Sequence, residues 1–188
     1  MPTHSPDALP WSHPVPVSDL NARKTTRITL EPNAPARTAL AHDLGLDGLK
    51  KLRFAVELTP RGKHDWALAA QLGATVTQPC VISAAPVTTR IDEPVRRFYM
   101  AGYAEPEVES GEEVEMPDDD TIEPLPGVID LGAVMAEALA LALPLYPRAD
   151  GAALAQSSFA EPGVDPLSDE DSKPFAALKA LRDKMEDD

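Results

Sequence analysis

Apolar and polar positions alternate along much of the first hundred residues, at the period of a strand. From Leu52 onward, Phe54, Val56 and Leu58 fall on one face while Arg53, Ala55 and Glu57 fall on the other, the two-residue period of a half-buried strand. Leu49 extends this segment upstream. Pro60-Arg61-Gly62-Lys63 reads as a turn, after which Trp66, Leu68 and Ala70 open another strand. Leu52–Leu58 and Trp66–Val76 are therefore expected to pair as an antiparallel hairpin, with Gly73 marking a bulge before Thr75-Val76-Thr77. Upstream, Thr25–Leu30 is rich in β-branched residues and predicts a strand. Downstream, Val87, Thr89 and Ile91 begin a further strand, which Pro94 interrupts before Val95–Tyr99 resumes it.

Two segments carry helical spacing instead. Ala36–Leu44 has Leu40 and Leu44 four apart, with Gly45 as its stop. Asp130 can cap a longer helix through Leu131, Val134, Met135, Ala138, Leu139 and Leu141, a wide apolar face that Pro144 and Pro147 end. Residues 1–16, with prolines at 2, 6, 10, 14 and 16, predict an extended or loosely ordered leader. A domain over 17–150, a linker over 151–172 and a tail over 173–188 complete the plan, Pro174–Met185 forming a short amphipathic helix. The expected class is α+β, a mostly antiparallel sheet packed against one main helix, with a mobile acidic loop and a short C-terminal helix.

Charge changes this picture. The net charge of −14 argues against nucleic acid, because phosphate binding needs clustered cations. The distribution reverses that reading. Residues 1–103 hold twelve Lys or Arg against nine acids, whereas 104–123 holds ten acids and no base, and 161–188 nine acids against four bases. The block Ala104–Glu123 is read as the mobile loop, its composition unable to offset the entropy of ordering. The basic part clusters its cations: Arg23, Lys24 and Arg27; Lys50, Lys51 and Arg53; Arg61 and Lys63 at the hairpin turn; Arg90, Arg96 and Arg97 on the later strand. On one sheet face they would make a stripe able to track a phosphate backbone; scattered, they are ordinary surface charge.

Catalytic signatures are absent from the sequence. It has no nucleophile elbow, phosphate-binding loop or dinucleotide glycine pattern. The single cysteine, Cys80, excludes an internal disulfide and any multi-cysteine zinc site. It reads as a small buried residue at a strand end, with a reactive thiol as the alternative. Asp118-Asp119-Asp120 lacks the spaced ligands and central glycine of a calcium loop. No cofactor or metal is expected. Without a secretory signal or a run long enough to span a bilayer, the cytoplasm is the default.

Four segments, in order, resemble the YceD family, bacterial proteins linked to accumulation of large-subunit ribosomal RNA. They are Gln78-Pro79-Cys80-Val81-Ile82-Ser83 with Pro86-Val87; the acidic loop running into Val128-Ile129-Asp130-Leu131-Gly132; Glu137 to Arg148, ending Leu143-Pro144-Leu145-Tyr146-Pro147-Arg148; and Lys173 to Lys179. Together they extend the resemblance over about residues 12–188. Some family members carry a Cys-x-x-Cys pair and are described as possible metal binders. Ser83 stands here in place of the second cysteine, so the metal is not carried over. The resemblance implies a non-enzymatic factor in large-subunit biogenesis, binding ribosomal RNA, ribosomal proteins or both. The alternative is a hydrolase or nuclease using the loop carboxylates with a divalent metal.

Overall fold

The computed structural model describes residues 9–103, 121–154, 160–161 and 163–164. The chain divides into two compact units, Met1–Ala149 and Asp150–Asp188. The first holds every element below. The C-terminal helix expected over Pro174–Met185 and nearly all of the expected acidic loop lie outside the described residues.

In chain order the elements are β1 (Pro14–Pro16), β2 (Thr26–Leu30), α1 (Ala34–Asp43), β3 (Gly48–Arg61), β4 (Asp65–Pro79), β5 (Pro86–Met100), β6 (Ile122–Pro124), β7 (Val128–Asp130) and α2 (Leu131–Ala142). Five strands form one sheet in the order β2-β3-β4-β5-β6, antiparallel except for the parallel β5–β6 pair, and β1 pairs with β7 in a separate antiparallel ribbon. The class is α+β, as the alternation and the two helical segments imply.

The expected hairpin is the spine of this sheet, with β3 and β4 in register from Gly48↔Thr77 to Arg61↔Asp65. The bulge lies elsewhere than the sequence suggested. It is on β3, between Lys50 and Arg53, opposite an uninterrupted β4. Leu49 and Leu52 are three apart yet both buried. An extra residue in β3 restores both to the inner face, and Lys51 takes a left-handed φ of 51° there. Gly73 leaves room for a neighbour instead: a Cβ on it would lie 2.6 Å from Arg90 Nη2, the tip of the exposed side chain that pairs with Asp92 across it, and that tip would have to shift.

Pro94 does not interrupt β5, and it sits opposite Gln71 within the continuous β4–β5 ladder. The N–H of Phe98 points towards β6, donating to Thr121 O at 2.7 Å. Pro94 has the same parity along the strand, so its missing N–H would face that open edge and no ladder bond is sacrificed.

The inner face buries Phe54, Leu58, Leu68, Leu72 and Val76 in one cluster with Leu40 of α1 and Leu131, Met135 and Leu139 of α2. α1 begins earlier than predicted because Asn33 Oδ1 accepts from Ala36 N at 3.0 Å, and Pro35 fits the first turn, where no N–H is required. Leu141, expected on the apolar face of α2, is 76% exposed. Its angular position at the end of the helix carries it past the core.

Of the leader expected over residues 1–16, residues 9–16 are described; they turn at Pro10-Trp11, run as a strand over Pro14–Pro16, and are not separate from the domain. Val15 and Trp11 are buried in the core, and Pro14–Pro16 pair with β7.

Candidate functional site

Strand register determines which of the cations share a surface. Cross-strand partners lie on one face, and the face opposite the core carries rows that can be followed across the sheet. One row runs Arg27, Glu57, Ala69, Arg96. The next is Thr29, Ala55, Gln71, Pro94; beyond it come Arg53, Gly73, Asp92 and then Lys50, Thr75, Arg90. Arg61 closes the opposite end, paired in register with Asp65. Arg27, Lys50, Arg53, Arg61, Arg90 and Arg96 therefore project from a single surface. On this surface lies a trough of about 350 Å³ floored by Thr29, Ala55 and Ala69, with Arg27, Glu57 and Gln71 also in its lining. At roughly 4.8 Å per strand, the row from Arg27 to Arg96 spans about 14 Å.

Carboxylates temper this surface. Arg27 Nε donates to Glu57 at 2.8 Å and Arg53 Nε to Glu31 at 3.3 Å, while Arg90 forks onto Asp92. Hydrogen bonding from Arg90 holds the Asp92 carboxyl below its ordinary range. These pairs are solvent-exposed, so each contributes little to stability and can exchange partners. Among the described residues, Lys50, Arg61 and Arg96 have no carboxylate within ion-pair distance.

The other predicted cations fall elsewhere. Arg23 and Lys24 lie in the exposed turn before β2, Lys63 in the β3–β4 turn, and Lys51 in the bulge. Arg97 has the opposite parity to Arg96 and is only 16% exposed at its side chain. Its Nη2 donates to Glu137 of α2 at 2.5 Å, and its Nε lies 2.7 Å from Glu123 of β6, out of line for a hydrogen bond. Arg97 thus braces β5, β6 and α2. Burial is the largest influence on Glu123 and raises its pKa, against the opposing pull of Arg97. Burial likewise pushes Tyr99 up to about 12.

The remaining candidates build two junctions. Asp130 Oδ1 accepts from Gly132 N at 2.8 Å and Ala133 N at 3.2 Å, which is the expected cap, but it also accepts from His13 N at 2.8 Å. Its Oδ2 accepts from Ser12 Oγ at 2.5 Å. Burial pushes the Asp130 carboxyl up, yet these donors together hold it below its ordinary value. Leu131 N donates to His13 O at 3.0 Å, and a Cβ on Gly132 would lie 2.0 Å from Trp11 O. Asp130-Leu131-Gly132 therefore seats the N-terminal arm as well as starting α2.

The second junction is centred on Cys80, which is buried, as expected. The surroundings are polar rather than apolar. The thiol sulfur accepts from the backbone N–H groups of Ile82, Ser83 and Ala149 at 3.4, 3.4 and 3.3 Å. The Ser83 hydroxyl is the largest of the influences that lower the Cys80 pKa from 9.0 to about 6. The segment after α2 returns to this turn: Gln78 Nε2 donates to Pro144 O at 3.3 Å and Val81 N to Pro147 O at 2.9 Å. Pro147 is buried there, whereas Tyr146 and Arg148 are exposed.

A family model described as large ribosomal RNA subunit accumulation protein YceD matches residues 68–182, more than half of the chain. The chain belongs to the YceD family. The match includes the Cys80 junction and the Asp130-Leu131-Gly132 side of the other, but not its Trp11–His13 side; it begins within β4, so β1, β2, α1 and β3 precede it, whereas the sequence reading extended the resemblance to about residue 12. None of the curated proteins and none of the solved structures compared with the chain matches it. The family's description ties the chain to accumulation of large-subunit ribosomal RNA. Among the described residues, no helix is long and apolar enough to cross a membrane, and no group of three or more His, Cys, Asp or Glu is placed to hold a metal ion.

Arg37 escaped the sequence reading. It lies on α1 and lines a cavity together with Lys51 and Arg53. The broken alternation between Leu49 and Leu52 was the available signal that a bulge re-aims side chains here.

Proposed function

We propose that this YceD-family chain promotes accumulation of large-subunit ribosomal RNA in the cytoplasm, without catalysis, by holding the phosphate backbone of that RNA on the solvent face of its sheet. The supporting observation is the register that gathers Arg27, Lys50, Arg53, Arg61, Arg90 and Arg96 on one face, with a trough floored by Thr29, Ala55 and Ala69 beside Arg27 and Glu57. A low floor lets a backbone approach closely, and cations on both sides can replace its counterions. Aromatic rings are missing from the centre of this face, Phe98 lying at its margin. Base stacking therefore has no platform, and contacts to phosphate dominate.

Ultraviolet cross-linking in cells, followed by capture of the protein, tests this. Large-subunit RNA should be recovered with the wild-type chain. It should disappear with the triple variant Lys50→Glu, Arg61→Glu, Arg96→Glu at unchanged protein abundance. Equal RNA recovery from the variant would overturn the reading. Recovery of ribosomal proteins without RNA would transfer the role to a protein partner.

A further inference from the structure

At the edge of the cationic face, the β3 bulge meets the start of α1. The bulge holds Lys51 at a left-handed φ of 51°, a conformation that residues with a Cβ rarely adopt. Such conformations persist only where the surroundings impose them, and they concentrate at binding sites. Lys51 lines a cavity of about 440 Å³ together with Arg53 and Arg37. Three cations thus converge on one concavity, and Glu31, 3.3 Å from Arg53 Nε, is the single carboxylate in its wall. Arg37 is anchored at one corner, Nη1 donating to Pro32 O at 2.6 Å, while its Nε is buried without a hydrogen-bond partner. A guanidinium carries five donors, so this one is held in place with most of its capacity unspent. An excess of positive charge, a fixed arginine fork and a re-aimed lysine match the three oxygens of a phosphate group.

We propose that Arg37, Lys51 and Arg53 form a phosphate-binding pocket. It deepens the RNA reading, on which it rests only for the source of the phosphate: an RNA backbone or terminal phosphate, or a small phosphate compound. Glu31 acts as an internal competitor that releases Arg53 when the anion arrives.

Titration of the full chain with inorganic phosphate, followed by amide and arginine Nε–Hε resonances, tests the pocket. Saturable shifts confined to Arg37, Lys51, Leu52 and Arg53 are expected, with affinity roughly millimolar for so small an anion. Lys51→Gly suits the left-handed backbone, so it should keep the fold and weaken phosphate by about tenfold, the worth of one charge-assisted contact. Glu31→Gln should strengthen binding several-fold. Shifts that do not saturate, that spread over all basic residues, or that ignore both variants overturn the pocket. Titration with an RNA oligonucleotide bearing a 5′-phosphate, or lacking one, separates the sources. RNA that moves the same resonances supports both readings. Phosphate binding in the pocket, with neither RNA moving a resonance there or on the sheet face, leaves the pocket standing for small phosphates and removes the RNA reading. RNA binding with a silent pocket does the reverse.

Discussion

Gly132 and Cys80, both within the family match, show how single residues act through backbone contacts. Trp11 O occupies the place of a Gly132 Cβ, and a carbonyl in the core cannot rotate away as a side chain tip can. Gly132→Ala should destabilise the chain by about 1–3 kcal/mol or more, read as a lower denaturant midpoint, with loss of hydrogen-exchange protection in the arm over Trp11–Pro16. Unchanged stability would mean the arm does not pack there. Cys80 makes a prediction in pH. Its folded pKa is depressed from 9.0 to about 6, so its thiolate stabilises the fold fully above about pH 9, and this contribution falls away as pH drops through 6. The stability difference between wild type and Cys80→Ser should therefore widen from pH 6 to pH 9 and stay level outside that window. A constant difference would show that the thiol remains neutral in the fold.

At the scale of elements, adjacent arginines divide between bracing and the outer face proposed to bind. Arg97 joins three elements from the inner side of β5, and Arg96 stands on the outer face. Arg97→Ala should cost about 1.5–3 kcal/mol, as loss of charged hydrogen bonds does. Arg96→Ala should stay within about 0.5 kcal/mol. Equal losses in thermal melts would contradict the assignment of faces. This distinction was not legible in the sequence, where both arginines formed part of one cluster; parity along β5 is hidden until Pro94 is known to leave the strand unbroken. The hairpin, the Asp130 cap and the burial of Leu139 were legible, because each depends on residues close in sequence. The bulge was half legible: the broken alternation after Leu49 announced it, but Gly73 attracted the assignment, since a glycine in a strand can equally mark space for a neighbour. The contacts of Asp130 with Ser12 and His13 link residues 118 and 117 positions apart, and nothing local in the sequence signals them.

At the scale of the whole molecule, the decisive property is the separation of charge. An overall charge of −14 coexists with a sheet face that gathers six cations. On the proposed reading, net charge repels RNA at long range and the face attracts it at close range, so binding should depend strongly on ionic strength. The most direct test is the affinity of purified wild-type chain for large-subunit ribosomal RNA, measured across a series of salt concentrations beside the Lys50→Glu, Arg61→Glu, Arg96→Glu variant. The wild-type plot of log affinity against log salt should fall linearly, and the variant should bind more weakly with a slope flatter by about one unit for each phosphate it no longer neutralises. A wild-type affinity that does not change with salt, or a variant whose slope equals the wild-type slope, would contradict recognition of the phosphate backbone by this face.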